Sequence, residues 1–327
     1  MPGSRASVFG EAEDFQSALS ADGVAGMLFT SHGQFRARLT QVTLDRLRLA
    51  AVEEAQSRIG FVAVPAGMVL VSFPIDGGPS PVWSGIETRT SEMIIFGPGE
   101  RLHARAVGPC HWGTIQVPDQ QLADYGRALT GTWFVVPPAA RWHPPRAAVG
   151  QLRDLHRAAI RMAEARAAAL TDLQAAHGLE QQLIHALLEC LPAGSADEES
   201  PTARRHRAIL ARFEDLLQAE PLAQISEFCA ALGISERMLC ECCNKHLGMG
   251  PSRYRDLRRM QQVHRALRSM DPRAASVFEV ARRHGVRNLG RFAASYRVLY
   301  GELPSSTLRR RDGVAALTLG RRRVKFP

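Results

Sequence analysis

Four cysteines and a histidine crowd the stretch FCAALGISERMLCECCNKHLG: Cys229, Cys240, Cys242, Cys243 and His246. Thiolates and imidazoles are the side chains that bind zinc, and a thiol among basic groups is activated for redox chemistry. Metal binding, redox chemistry and plain packing therefore have to be weighed. Cys242 and His246 lie one helical turn apart and Cys229 could approach them, but a closed zinc site needs four converging ligands and the pattern offers no fourth. Counted from a Ser235 cap, Leu239, Cys243 and Leu247 fall at i, i+4 and i+8, with Cys242 beside them. That is the face a helix turns toward its own core, where free Cys behaves as a small hydrophobe. Cys240, Glu241 and Asn244 then lie on the opposite, outward side with Glu236 and Arg237. The expectation is core packing for Cys242 and Cys243, with no metal and no cofactor. No Ser/His/Asp arrangement, phosphate loop or paired-carboxylate motif stands out elsewhere, so no enzyme activity is expected.

These residues need elements to position them. Residues 1–145 read as β-rich. IGFVAVPAGMVLVSFPI gives short β-branched runs separated by Pro and Gly, RLHARA alternates Leu102, Ala104 and Ala106 against Arg101, His103 and Arg105, and HWGTIQV alternates again. Short strands without intervening helices point to a sandwich or barrel. Trp83, His103, His111 and Trp112 are the candidates to line a ligand cavity there. Residues 146–191 change period. Leu152, Leu155, Ala159 and Met162 share one helical face, Leu179, Leu183, Leu187 and Leu191 another, and the join between two amphipathic helices is expected near His177-Gly178. These helices either pad the barrel or form a seam between two chains. Residues 192–204 follow, beginning PAGSADEESP, as a polar linker.

The charge is unevenly spread. The 327 residues carry a net charge of +9, yet residues 201–327 hold 25 Lys/Arg against 11 Asp/Glu, a net of +14, so the first 200 carry a net of −5. Such asymmetry points to nucleic acid or an anionic membrane as the partner of the basic part. The apolar run 59–75 is broken by Pro65, Gly67 and Pro74, which excludes a membrane span. MPGSRASVFGEAEDF lacks the basic start and apolar core of a signal peptide, and six cysteines, four of them crowded between 229 and 243, do not form a secreted disulfide pattern. A cytoplasmic location without membrane contact is expected.

Within 201–327 an internal near-repeat appears. SEFCAALGIS (226–235) and VFEVARRHGVR (277–287) each read as a short helix, a Gly turn and the start of a second helix. Gly233 matches Gly285, Glu227 matches Glu279, and LGMGPS matches YGELPS at the ends. Between them runs the basic stretch RYRDLRRMQQVHRALRSM. Two helix-turn-helix units on one connecting helix is the economical description. Arg287, Asn288 and Arg291 open the second recognition helix, with Phe292 and Tyr296 on its buried face. Arg to guanine and Asn to adenine are common bidentate pairs, so these three, with Ser235, Glu236, Arg237, Cys240 and Asn244 of the first unit, are the candidate DNA contacts. Arg255, Arg258, Arg259 and Arg265 read as a mixture of solvated face and phosphate contacts. Residues 312–327, with Arg321, Arg322, Arg323 and Lys325, read as a basic tail.

Over residues 205–311 the paired units resemble the DNA-binding domain of AraC/XylS-type transcription regulators, the second more closely through VFEVARRHGVRNLGRFAASYRVLYGELPSSTL. Glu241 and Cys243 depart from the Arg and aromatic usual there. The N-terminal part resembles, more loosely, the cupin-like sensor barrels that precede such domains, through MIIFGPGERLH and WGTI, without the paired histidines of metal-binding cupins. The resemblance implies an α+β chain: a cupin-like β-barrel, amphipathic dimerisation helices and an all-α double helix-turn-helix domain. It implies operator DNA read in successive major grooves, a small-molecule effector, a homodimer and RNA polymerase as partners. A cupin-type binding or catalytic protein with a basic nucleic-acid-binding appendage is the alternative.

Overall fold

The computed structural model describes residues 2–31, 33, 35–75, 79–131, 136–165, 170, 172–191, 195–273 and 275–309. The expected basic tail, residues 312–327, lies outside them. The strands are β1 (Gly3–Phe9), β2 (Val24–Phe29), β3 (Ala37–Thr43), β4 (Arg48–Glu54), β5 (Arg58–Ala63), β6 (Met68–Pro74), β7 (Val82–Trp83), β8 (Met93–Phe96), β9 (Arg101–Ala106), β10 (Cys110–Pro118), β11 (Ala139–His143) and β12 (Ser195–Glu198). The helices are α1 (Ala12–Leu19), α2 (Asp119–Thr130), α3 (Arg146–Ala165), α4 (Leu173–Cys190), α5 (Pro201–Ala219), α6 (Ile225–Leu232), α7 (Glu236–Leu247), α8 (Pro251–Ser269), α9 (Val277–Arg283), α10 (Leu289–Tyr300) and α11 (Pro304–Arg309).

The expected barrel is two sheets laid face to face. Eight strands run in the order β1-β3-β4-β10-β6-β8-β11-β12 and four in the order β2-β5-β9-β7, antiparallel throughout. Among the described residues no strand pairs across from one sheet to the other. At one open edge α1 stands between β1 and β2 and fills the gap with buried Phe15 and Leu19, so side chains close the core where a barrel would use hydrogen bonds. The stretch of strands is also not helix-free, since α1 and α2 interrupt it. In α2, Leu122 is buried and Tyr125 packs against the same core one turn on.

Four layers result. Alternation decides which residue enters which core. In β10, Ile115 and Val117 face α3 and α4, while Cys110 and Trp112 face the four-stranded sheet. In β9, Leu102, Ala104 and Ala106 point into the space between the sheets. Leu28 and Ile59, from β2 and β5, point the other way into a core built with Phe213, Phe228, Leu239, Cys243 and Tyr254 of the helical region.

Helices α3 and α4 cover the outer face of the large sheet. Leu152, Ala159, Leu183 and Leu187 are buried there, each Leu contributing roughly 1.5–3 kcal/mol relative to exposure. The stripe that could have formed a seam between chains is used within one chain. Helix α4 begins at Leu173, where Asp172 caps it by accepting from the Gln174 amide at 2.9 Å, and it runs through His177-Gly178 unbroken. A glycine has little helix-breaking power where its neighbours bury a continuous apolar face. Gly113 has a different task. A Cβ there would lie 2.9 Å from Cε1 of His156, so the glycine lets α3 lie close on β10.

The expected linker is ordered where it is described, its residues 192–194 lying outside that range. Ser195–Glu198 adds the edge strand β12 to β11, and Ser200 caps α5 by accepting from the Ala203 amide at 3.2 Å, with Pro201 in the first turn. Asp197 holds Arg141 at 2.6 Å and His143 at 2.9 Å across that strand pair, which ties down a polar segment that has no apolar period. No helix among the described residues is long and apolar enough to cross a membrane.

Candidate nucleic-acid interface

Two helix-turn-helix units are built alike. Helix α6 ends at Gly233 in the left-handed conformation, φ 67°, and Ser235 then caps α7, its Oγ accepting from the Met238 amide at 3.2 Å. Leu239, Cys242, Cys243, His246 and Leu247 are buried, while Glu236, Arg237, Glu241 and Asn244 are exposed and Cys240 is half-buried. In the second unit Ser276 and Glu279 form a reciprocal capping box on α9, Gly285 makes the turn at φ 76°, and Asn288 caps α10 by accepting from the Arg291 amide at 3.0 Å. Phe292 and Tyr296 are buried and Arg287, Asn288 and Arg291 exposed. Both units thus present the outward residues that the sequence marks. The cap has a cost for Asn288: its carbonyl oxygen, which a bidentate adenine contact requires, already serves the helix terminus.

The Cys242 and Cys243 thiols belong to the core. Burial pushes the Cys242 thiol up to about 11, with the Glu241 charge adding to it, and drives Cys243 higher still. Such thiols stay protonated. Among the described residues no three His, Cys, Asp or Glu side chains are placed to hold a metal ion.

The reading units are not separate from the sheets. Glu214 on α5 is buried, and its Oε1 stands 3.1 Å from His103 Nε2 on β9 and accepts from the Tyr254 hydroxyl, while Arg258 of α8 pairs with its Oε2 at 2.9 Å. Burial opposes its ionisation, but His103, Arg258 and Tyr254 outweigh that and hold the carboxyl below its usual range. Around this centre Arg101 of β9 grips Asp215 through two nitrogens, at 2.5 and 2.7 Å. Arg207 of α5 bridges Glu199, at 2.8 Å, and Glu100. Farther along α8, Gln261 donates to the Met27 carbonyl, Arg265 donates to Gln16, and Arg268 meets Glu11 at 2.9 Å and Glu13 at 2.8 Å. Groups of the N-terminal part, with Glu214 of α5, therefore occupy one face of the basic connecting helix. Sequence reading missed Glu214, although a signal existed: it lies on the α5 stripe with Leu210 and Leu217, where a carboxylate must have partners.

The four residues expected to line a ligand cavity lie in three different surroundings. Trp83 and Trp112 are core residues packed edge to face, 5.6 Å apart. The Trp112 indole donates to Glu54 at 2.9 Å, and Glu54 in turn makes a buried ion pair with Arg58 at 2.6 Å. His103 turns outward to Glu214. His111 borders a cavity of about 330 Å³ at the end of the sandwich with Arg36, Arg38, Glu53 and Glu54.

With this geometry in view, residues 228–310 match a family model described as a helix-turn-helix domain. The chain is 38% identical over 76 residues to a XylDLEGF operon transcriptional activator of Pseudomonas putida, covering 23% of this chain and 24% of that protein. It is 32% identical over 134 residues to a probable thc operon regulatory protein of Rhodococcus erythropolis, 38% of this chain and 40% of that protein. The match thus spans about a quarter of the length of the first of these relatives. Among solved structures, the AraC-like transcriptional activator CuxR aligns with 79% of this chain and 94% of its own, at 15% identity and a TM-score of 0.43. A probable AraC family transcriptional regulator from Rhodopseudomonas palustris aligns with 32% of this chain and 97% of its own, at 30% identity and a TM-score of 0.30.

Proposed function

We infer that this chain, an AraC/XylS-type regulator by its helix-turn-helix domain, is a sequence-specific DNA-binding transcription regulator whose two-sheet N-terminal part senses a small molecule. The observation that carries the reading is the pair of capped helices, α7 and α10, exposing Arg237 and Asn244 on one and Arg291 on the other, with Arg287 exposed in the turn just ahead of α10, within a region of net charge +14. Relatives named as operon activators favour activation. The sheet sandwich stands where the resemblance puts a cupin-like sensor. Its effector is a small organic molecule, and the cavity beside His111 is the opening through which it would be met. Operator DNA, RNA polymerase and a second copy of the chain are the partners in this reading, in the cytoplasm; the second copy would use a surface other than the leucine stripes of α3 and α4.

Because β9 touches Glu214, a ligand that shifts the small sheet shifts the reader with it. The test is selection of duplexes from a random pool by the full-length protein. Enrichment of one motif, with Arg291→Ala relaxing preference at one position by about 1–3 kcal/mol, supports the reading. Recovery of an unenriched pool would overturn it.

A further inference from the structure

Helix α8 sorts its arginines onto two faces. Arg258, Arg265 and Arg268 turn toward the sandwich, where Glu214, Gln16, Glu11 and Glu13 receive them. Arg255 and Arg259, one helical turn apart, point instead toward the loop between α5 and α6. Arg255 donates to the Ala223 carbonyl at 3.4 Å and Arg259, through Nε, to the Pro221 carbonyl at 3.0 Å. Asp256 pairs with both, at 3.4 and 4.0 Å, but its side chain is 62% exposed and so neutralises them weakly.

These two arginines line a groove of about 550 Å³ between the two helix-turn-helix units, together with Arg282 of α9 and Arg287 of the second turn. Gln224, ahead of α6, lines it as well, and none of the described lining residues is acidic. The units come into contact here: a Cβ on Gly285 would lie 2.7 Å from Leu222 Cδ2, and φ of 76° also demands glycine. Burial, then Arg255 and Arg287, weaken the hold of Arg259 on its proton against the opposing pull of Asp256, as expected where cations gather without a matching anion. Guanidinium forks match the tetrahedral oxygens of phosphate, and an anion here would relieve the mutual repulsion.

We propose that this groove seats phosphate groups of the DNA backbone between the two major-groove contacts, and that Arg287 serves this seat and not base reading. The proposal rests on the DNA-binding reading above. It also separates Arg287 from Arg291, which the sequence could only group together.

The test uses the full-length protein carrying Arg255→Gln, Arg259→Gln or Arg282→Gln, with duplex affinity measured across a salt series. Each substitution is expected to reduce the slope of log affinity against log salt by about 1, and to weaken selected and random duplexes by the same factor. Arg282 is exposed on α9, its guanidinium 5.9 Å from the Phe278 ring of the same helix, so its variant remains informative if the α8 variants unfold. Unchanged slopes in a protein that still selects a motif would overturn the seat and leave the DNA reading standing. A wild-type protein that binds no duplex would remove both. Tripolyphosphate is the second arm: if it raises the melting temperature of the wild type but not of the variants while duplex affinity is unaltered, the groove takes a free phosphate compound and the DNA assignment is wrong.

Discussion

His103 Nε2 and Glu214 Oε1 meet at 3.1 Å across 111 positions of sequence, and both side chains are buried. One belongs to the strand β9 of the small sheet, the other to the helix α5 that supports the first reading unit. The sandwich and the reader therefore share one buried charge centre, completed by Tyr254 and Arg258.

Removing that carboxylate should be expensive. Glu214→Gln leaves Arg258 without its counter-charge in a buried place and takes the carboxylate from His103, a loss that typically costs about 3–5 kcal/mol. Denaturant unfolding is expected to lose this amount and to split into two transitions as the halves uncouple. A loss below about 1 kcal/mol in a single transition would show that the centre is not what joins them.

Acid should destabilise the protein through His156. Burial lowers its pKa to about 4 against an ordinary value of 6.5, its Nε2 standing 3.2 Å from the Ala50 carbonyl. The folded state keeps the ring neutral, so its contribution is full above pH 6.5 and is lost as pH falls toward 4, where the unfolded chain binds the extra proton. The slope in that window is up to about 1.4 kcal/mol per pH unit. His156→Gln should remove about one proton from the measured pH dependence. An identical pH profile for the variant would contradict this assignment.

The cysteines should behave unequally. Cys243→Ala empties space in a packed core and is expected to cost about 1 kcal/mol, whereas Cys240→Ser should stay within roughly 0.5 kcal/mol. Thiol-reactive probes should label Cys240 before Cys242, whose thiol is pushed up to about 11. Stoichiometric zinc in protein purified without added metal would count against core packing.

Gly113→Ala tests the close approach of α3 to the large sheet. The added carbon would sit 2.9 Å from His156 and 3.1 Å from Phe73, an overpacking that typically costs about 1–3 kcal/mol. Thermal melting reads it directly, and an unchanged melting temperature would mean that the helix moves away freely.

Much of this was legible in the sequence because it depends on local rules. Helix period buries Leu239, Cys243 and Leu247 and exposes Arg237 and Asn244. Glycine at 233 and 285 marks positive-φ turns, and Ser235 marks a cap. Alternation in β9 separates Leu102 from His103. Each of these follows from neighbours a few residues away.

What the sequence could not decide was the partner of each exposed face. It divided His103 from Leu102 but could not say that His103 meets Glu214 and not a ligand. Nor could it say that the stripes of α3 and α4 cover their own sheet and not a second chain. It showed a basic helix α8 but not that Glu11, Glu13 and Glu214 neutralise one side and leave Arg255 and Arg259 to the other. Burial and ion pairing are settled by groups distant in sequence, 40 positions apart for Tyr254 and Glu214 and 111 for His103 and Glu214, whose meeting depends on how sheets and helices stack, and no local period encodes that.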